Sequence, residues 1–289
     1  MDKTIDTLVV DIQELLDKGI ENIPEEKIRE FEKSMSNTVI EAIKPRSSGR
    51  RDLRMSSIGN PCIRKLWLEY NYPERIEQLT PDTRLKFGYG HLTEEFLLFL
   101  AELAGHRVEG RQDTQEIAGV YGHRDAVIDG VVVDVKSAST YSFNKFRQHL
   151  TTATDNFGYL TQLQSYLHAG QLDDKVTDKQ RGAFLVCDKT LGHICLDVHA
   201  YEPYDWETEY ERRKEIVYGE ERPSRSFDPI PEGKSGNYKL PVNCSYCSVK
   251  HLCHTNLRTF AYSTGPVFLT KVVREPNVPE ILTEEYVTE

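Results

Sequence analysis

Gly122-His-Arg-Asp125-Ala-Val-Ile-Asp-Gly130-Val-Val-Val-Asp134-Val-Lys136 is the stretch on which the fold class turns. Asp129-Gly130 between two apolar runs is a hairpin turn signal, since both residues tolerate the backbone a tight turn needs. The run 131–135 then reads as a strand. On it Asp134 and Lys136 lie two apart, so both side chains leave the same face. Asp125, ahead of the turn, brings a second carboxylate across the hairpin.

Working outward, residues 4–44 have helical spacing, with Ile12, Leu15, Leu16 and Ile20 on one face and Ile28, Phe31 and Met35 on another. Residues 44–59 form a basic linker containing Ser and Gly, and Asn60-Pro61 opens a short helix through about Tyr70 with Cys62 near its start. A stronger helix is predicted over 81–103. Its apolar stripe is Leu92, Phe96, Phe99, Leu100 and Leu103, with His91, Glu95 and Glu102 on another side and Gly105 as the stop. Strands follow at 108–112, 114–121 and 131–135, then a helix over 157–169, a hairpin of 183–187 with 193–198, a helix over 204–218 and a long connector over 219–243. Helix, strands, helix, strands, helix in that order predicts an α/β core with helical additions.

The chain has 289 residues, enough for a substantial core. No apolar run approaches the roughly 18 residues of a membrane span, and the N-terminal residues do not read as a signal peptide, so a cytoplasmic, membrane-free location is expected. A net charge of −10 argues against a protein that coats nucleic acid indiscriminately. Residues 44–65 nevertheless carry seven basic side chains and one acidic one, either a solvated loop or a phosphate-facing segment.

A carboxylate and a lysine sharing a sheet edge can hold a hard cation and orient water for attack on phosphate. His91 could add an imidazole, which suits Mn²⁺ better than Mg²⁺. Gln162 and Tyr166, four apart, share a helix face. Each element alone is common on protein surfaces. Glu95 either assists a metal or solvates its helix, Asp129 serves its turn, and His123 is better explained as structural.

Four of the six cysteines are spaced Cys62–(181 residues)–Cys244–x2–Cys247–x5–Cys253. Thiolates two and five residues apart on a tight turn can converge on one soft metal centre, with the distant cysteine completing its shell; both iron–sulfur and zinc fit the spacing. Cys187 and Cys195 fall on the hairpin as small core residues. Trp67, Tyr70 and Tyr72 suit packing around the cysteines better than stacking on bases.

Taken jointly, His91, Gly122-x-x-Asp125, Asp134-x-Lys136 and Gln162-x3-Tyr166 resemble the PD-(D/E)XK nuclease superfamily, in its RecB-like branch. Arg124 stands where the superfamily's proline would be. The early Cys and C-terminal trio further resemble the iron–sulfur members: CRISPR-associated RecB-like exonucleases, the AddB nuclease domain and related phage exonucleases. The resemblance covers residues 62–253. It implies a restriction-endonuclease-like core, a central mixed sheet flanked by helices. An N-terminal helical extension (1–55) would precede the nuclease domain (56–289), which an iron–sulfur segment closes at 244–253. It further implies a Mg²⁺- or Mn²⁺-dependent exonuclease acting on single-stranded DNA or DNA ends, virus-encoded or cellular, with recombination, repair or CRISPR-adaptation proteins as partners. His91, Asp125, Asp134 and the Val135 carbonyl would hold the metal. Lys136 would position and help deprotonate the water, and Gln162 and Tyr166 would orient the lysine or the strand. Cys62, Cys244, Cys247 and Cys253 would hold a structural [4Fe–4S] cluster. The rivals are a catalytically silent iron–sulfur DNA-binding subunit and a redox-responsive regulator with a labile cluster.

Overall fold

The computed structural model describes residues 3–44 and 51–282. In chain order its elements are α1 (Leu8–Lys18), α2 (Glu25–Ile43), α3 (Ile63–Asn71), α4 (Pro81–Leu103), β1 (Val108–Glu109), β2 (Thr114–Ile117), β3 (Val120–His123), β4 (Ala126–Ile128), β5 (Val131–Ala138), α5 (Thr140–Arg147), α6 (Tyr159–Ala169), β6 (Arg181–Asp188), β7 (Ile194–Ala200), α7 (Trp206–Tyr218), β8 (Ile230–Pro231), β9 (Tyr238–Lys239), α8 (Val242–Ser245), α9 (Lys250–Cys253), β10 (Arg258–Tyr262), β11 (Gly265–Lys271) and β12 (Glu280–Ile281). They form two compact units. The first comprises described residues 3–44, 53–59 and 79–212, and the second 51–52, 60–78 and 213–282.

The first unit is an α/β structure around a mixed five-stranded sheet in the order β1-β4-β5-β6-β7. Only β5 and β6 run parallel, and the chain between them passes through α5 and α6. Alternation along β5 sends Val131, Val133 and Val135 into a core with Ile5, Leu8 and Ile12 on one side of the sheet, where α4 adds Leu97, Leu98, Leu100 and Ala101. The opposite face carries Asp134 and Lys136. There Leu167 of α6 lies so close to β6 that a side chain at Gly182 would meet it at 2.8 Å. Phe146 of α5 packs edge-on against Phe184 of β6 at 5.3 Å.

Helix α4 occupies the range its periodicity predicts, but its buried stripe is shifted: Phe96 is 48% exposed while Leu97 and Leu98 are buried. The N-terminal apolar face is likewise displaced, toward Ile5, Leu8 and Ile12, leaving Leu16 and Ile20 exposed. Residues 114–121 are two strands rather than one. The chain reverses at Ala118-Gly119, both at positive φ, a turn that an alanine conceals. Asp129-Gly130 makes the expected turn, at φ 49° and 83°.

In the second unit, Trp67 and Leu68 of α3 pack with Ile76, Cys247 and Val249. The Trp67 indole N–H donates to the Gly219 carbonyl at 2.8 Å. A second, wholly antiparallel sheet in the order β8-β9-β11-β10-β12 brackets the cysteine trio in sequence, with β8 and β9 before it and β10 to β12 after. No helix among the described residues is long and apolar enough to cross a membrane.

Candidate active site and cysteine centre

Pairing of β4 with β5 stops at Ala126–Val133, so the peptide edge of β5 is released just before its polar residues. Asp125 fills the gap, its Oδ2 accepting the Val135 N–H at 2.7 Å. The N–H and C=O of one strand residue leave on the same side, so the Val135 carbonyl faces the side Asp125 occupies. Asp134 and Lys136 form an ion pair. Gln162 Nε2 donates to Asp134 Oδ1 at 3.3 Å, and the Lys136 ammonium lies 5.1 Å from the centre of the Tyr159 ring.

Gly122 owes its identity to contact. A Cβ there would meet both Met55 Cβ and Tyr166 Oη at 2.6 Å. Tyr166 therefore packs directly under the Gly122–Asp125 turn, its hydroxyl buried without a well-formed hydrogen bond although the His123 N–H acts on it. Arg124 is buried and is held by Asp113 at 2.9 Å and Asp173 at 2.6 Å. His123 is exposed and lines the same groove as Asp125, its Nδ1 lying 3.2 Å from the Gln112 carbonyl.

Electrostatics identify a residue that sequence reading missed. Burial raises the Asp125 carboxyl well above its ordinary range, the Asp134 and Glu94 charges adding and Lys136 and the Val135 N–H opposing. Burial likewise raises Asp134, opposed by Lys136 and reinforced by Glu94. Burial alone would lower Lys136, but Asp134 and Asp125 outweigh it and hold the ammonium more firmly protonated. Asp134 and Asp125 thus bear on the lysine and Glu94 on both aspartates, three carboxylates to one ammonium, a charge excess that suits a divalent cation. Asp134 Oδ2 is buried and, apart from its ion pair, meets no hydrogen bond.

Glu94 stands one turn after His91 on α4, whose Nδ1 lies 3.9 Å from Glu94 Oε2. His91, Glu94, Asp125 and Tyr166 line one groove of about 560 Å³, with Arg54 and Phe87 on its walls. Asp134 and Lys136 do not line that groove. Glu95 lines the same groove and faces Arg111 at 3.6 Å, whereas Glu94 carries the charge that bears on Asp125 and Asp134. Arg84 caps the end of α2 through the Lys44 carbonyl at 3.0 Å. Of the basic segment, Arg46 and Arg50 lie outside the described residues.

The cysteine centre lies within the second unit. Cys62 precedes α3, its N–H donating to Asn60 Oδ1 at 3.0 Å. Cys244 and Cys247 sit on a tight turn closed by the Cys247 N–H on the Cys244 carbonyl at 3.1 Å. Burial pushes the Cys244 thiol up to about 11, with Cys62 and Cys253 contributing, and Cys247 up to about 12, where Lys65 opposes and Cys62 adds. All four thiols are free, and these mutual influences place them in one electrostatic neighbourhood. The Arg225 guanidinium donates to the Cys253 carbonyl, and Arg222 donates to the Leu252 carbonyl at 2.7 Å. Among the described residues no three of these sulfurs lie within 4.8 Å of one another, so it is the donor chemistry, four thiolates beside two guanidinium groups, that suits iron–sulfur or zinc.

No family model and no curated protein matches the chain. Among solved structures it is similar to one described as "Crystal structure of SSO0001", at 14% identity and a TM-score of 0.42, over 81% of this chain and 98% of that one. So loose a likeness carries no argument about function.

Proposed function

We propose that the protein is a metal-dependent DNA exonuclease of the PD-(D/E)XK, RecB-like type, acting on single strands or DNA ends, with a structural [4Fe–4S] cluster in its second unit. The observation that supports this reading most is the convergence of three carboxylates on one lysine-bearing edge: the Asp134 charge bears on Asp125, both bear on Lys136, and Glu94 bears on both aspartates. His91, Asp125, Asp134 and the Val135 carbonyl are the residues that would hold Mg²⁺ or Mn²⁺, and Glu94 joins them. When bound, the ion supplies Lewis acidity at a phosphate oxygen and a more acidic water.

The chain's own residues divide the remaining work. Lys136, held protonated by its carboxylate neighbours, is suited to stabilise charge on the attacked phosphate rather than to take a proton from water. Gln162 holds Asp134 through Oδ1 while Lys136 pairs with Oδ2, so a metal ion would share that second oxygen with the lysine. Tyr166 supports the turn that delivers Asp125. In the reaction a water oxygen bonds to phosphorus, the bond to the sugar oxygen breaks, and that oxygen takes a proton.

The test is a Mg²⁺ and Mn²⁺ titration of purified protein on strands labelled at the 5′ or the 3′ end. Metal-dependent release of short products from one labelled end supports the reading and gives its polarity. Tight DNA binding with no cleavage at any metal concentration replaces it with the silent binding subunit.

A further inference from the structure

Edge strand β7 carries a second cluster of metal-ligating groups, apart from the nuclease residues. Asp197 and His199 are two apart and project from the same face. His149, just beyond α5, meets them there. Its Nδ1 lies 2.8 Å from Asp197 Oδ1, and His199 Nε2 lies 3.0 Å from Asp197 Oδ2. One nitrogen or oxygen from each of the three falls within 4.8 Å of the other two.

Three details distinguish this cluster from an ordinary buried ion pair. His199 Nε2 is close to Asp197 yet not aligned to hydrogen-bond with it, and it is buried without another partner. His149 Nδ1 hydrogen-bonds Asp197 Oδ1, so the unclaimed group is His199 Nε2, a buried nitrogen beside a carboxylate that a shared ion would satisfy. Asp197 is buried, at 3% exposure, and its Oδ2 accepts the Leu150 N–H at 2.9 Å, so the carboxylate is fixed from behind. His149 is a non-glycine residue at φ 71°, an uncommon backbone state that turns its ring onto Asp197.

Asp197 pairs across the sheet with Phe184, which pairs with Asp134. The cluster therefore shares a sheet face with Asp134, two strand spacings or roughly 10 Å away, with the buried Phe184 ring between them. It is a separate site.

We propose that His149, Asp197 and His199 bind a divalent first-row transition metal ion, zinc in type. Two imidazoles and one carboxylate suit Zn²⁺, and a water completes the tetrahedron. His149, with its side chain 60% exposed, forms the open mouth. Its ring now stacks on His199 at 4.4 Å between centres and turns on binding, so that its Nδ1 lone pair points at the ion. The ion fastens the segment after α5 to the sheet edge. This inference does not depend on the nuclease reading.

Equilibrium dialysis of the full chain against Zn²⁺ tests it, because the four cysteines contribute equally to wild type and variant. His149→Ala, altered at an exposed position, is expected to hold one zinc fewer per chain than wild type, with affinity at this site reduced at least a hundredfold. Asp197→Asn and His199→Ala should do the same if they fold. In parallel, ¹⁵N imidazole NMR of wild type should show Nδ1 of His149 and Nε2 of His199 shifting together at one added equivalent. Equal zinc content in wild type and His149→Ala, or imidazole resonances that ignore zinc, overturns the proposal and leaves a hydrogen-bonded His–Asp–His cluster.

Discussion

Gly122→Ala is the smallest change that should disturb the whole candidate site. The added methyl would stand 2.6 Å from Met55 Cβ and 2.6 Å from Tyr166 Oη, closer than carbon–carbon or carbon–oxygen contact allows. Neither neighbour has room to retreat, since both are buried. Overpacking of this kind costs about 1–3 kcal/mol, and at ~2 kcal/mol the first unit should melt roughly 4–8 °C lower. Tyr166 lies under the turn that carries Asp125, so the strain also displaces a proposed metal ligand, and cleavage should fall by about a hundredfold for a shift near 1 Å. A double-mutant cycle assigns the cause. Tyr166→Phe removes an oxygen that makes no well-formed hydrogen bond, so by itself it should cost little. In the Gly122→Ala background it should restore about 0.5–1 kcal/mol. Thermal melts and cleavage rates of the four proteins would decide. Gly122→Ala with unchanged melting and activity, or no coupling to Tyr166→Phe, would refute the packing argument.

Asp134→Ala and Lys136→Ala should each abolish cleavage while leaving the far-ultraviolet spectrum and DNA binding intact, because both act at the chemical step; gel-resolved products and binding curves check this. Glu94→Gln removes a charge that bears on both Asp125 and Asp134, and should weaken Mn²⁺ binding about tenfold by calorimetry. Both aspartates have carboxyls raised by folding, so their stabilising contribution is complete below the ordinary carboxylate range and is lost as pH rises through the raised values. Mn²⁺ should therefore raise the melting temperature more at pH 8 than at pH 5, relative to chelator. The Cys244 and Cys247 thiols are raised in the same sense, so metal-free protein should lose stability as pH climbs from about 9 toward their values of about 11 and 12. Anaerobic protein should be brown with about four irons per chain, and Cys62→Ser should lose the cluster as fully as Cys247→Ser. Colourless protein with one zinc would keep the four-cysteine centre and change the metal.

Much of this arrangement is legible in the chain because its signals are local. Asp129-Gly130 announces its turn, and the two-residue spacing of Asp134 and Lys136 puts both on one face. Helix α4 begins at a proline and carries its periodicity to Leu103. Other features depend on tertiary contact. Glu94 and Glu95 both line the groove, and only tertiary contact pairs Glu95 with Arg111 and sets the Glu94 charge against the two aspartates. The Ala118-Gly119 reversal is masked by a residue that seldom adopts positive φ. Helix α5 is short, and its Ser139 cap is an ordinary serine until the fold supplies Phe184 for Phe146 to cover. The second sheet is legible at 258–262 and at the Gly265 turn, whereas its two-residue strands at 230–231 and 238–239 are too short to carry an alternation. His149 and His199 lie fifty residues apart, and no spacing rule joins them.

The central claim is that Asp134 and Lys136 perform metal-dependent hydrolysis of DNA. Single-turnover cleavage of an end-labelled single strand, with wild type and Lys136→Ala compared at saturating Mn²⁺ and equal DNA occupancy, tests it most directly. The account predicts product from wild type that vanishes with chelator, and none above background from the variant although both bind the strand. Cleavage by Lys136→Ala within tenfold of wild type, or none by wild type at any Mn²⁺ concentration, would contradict it.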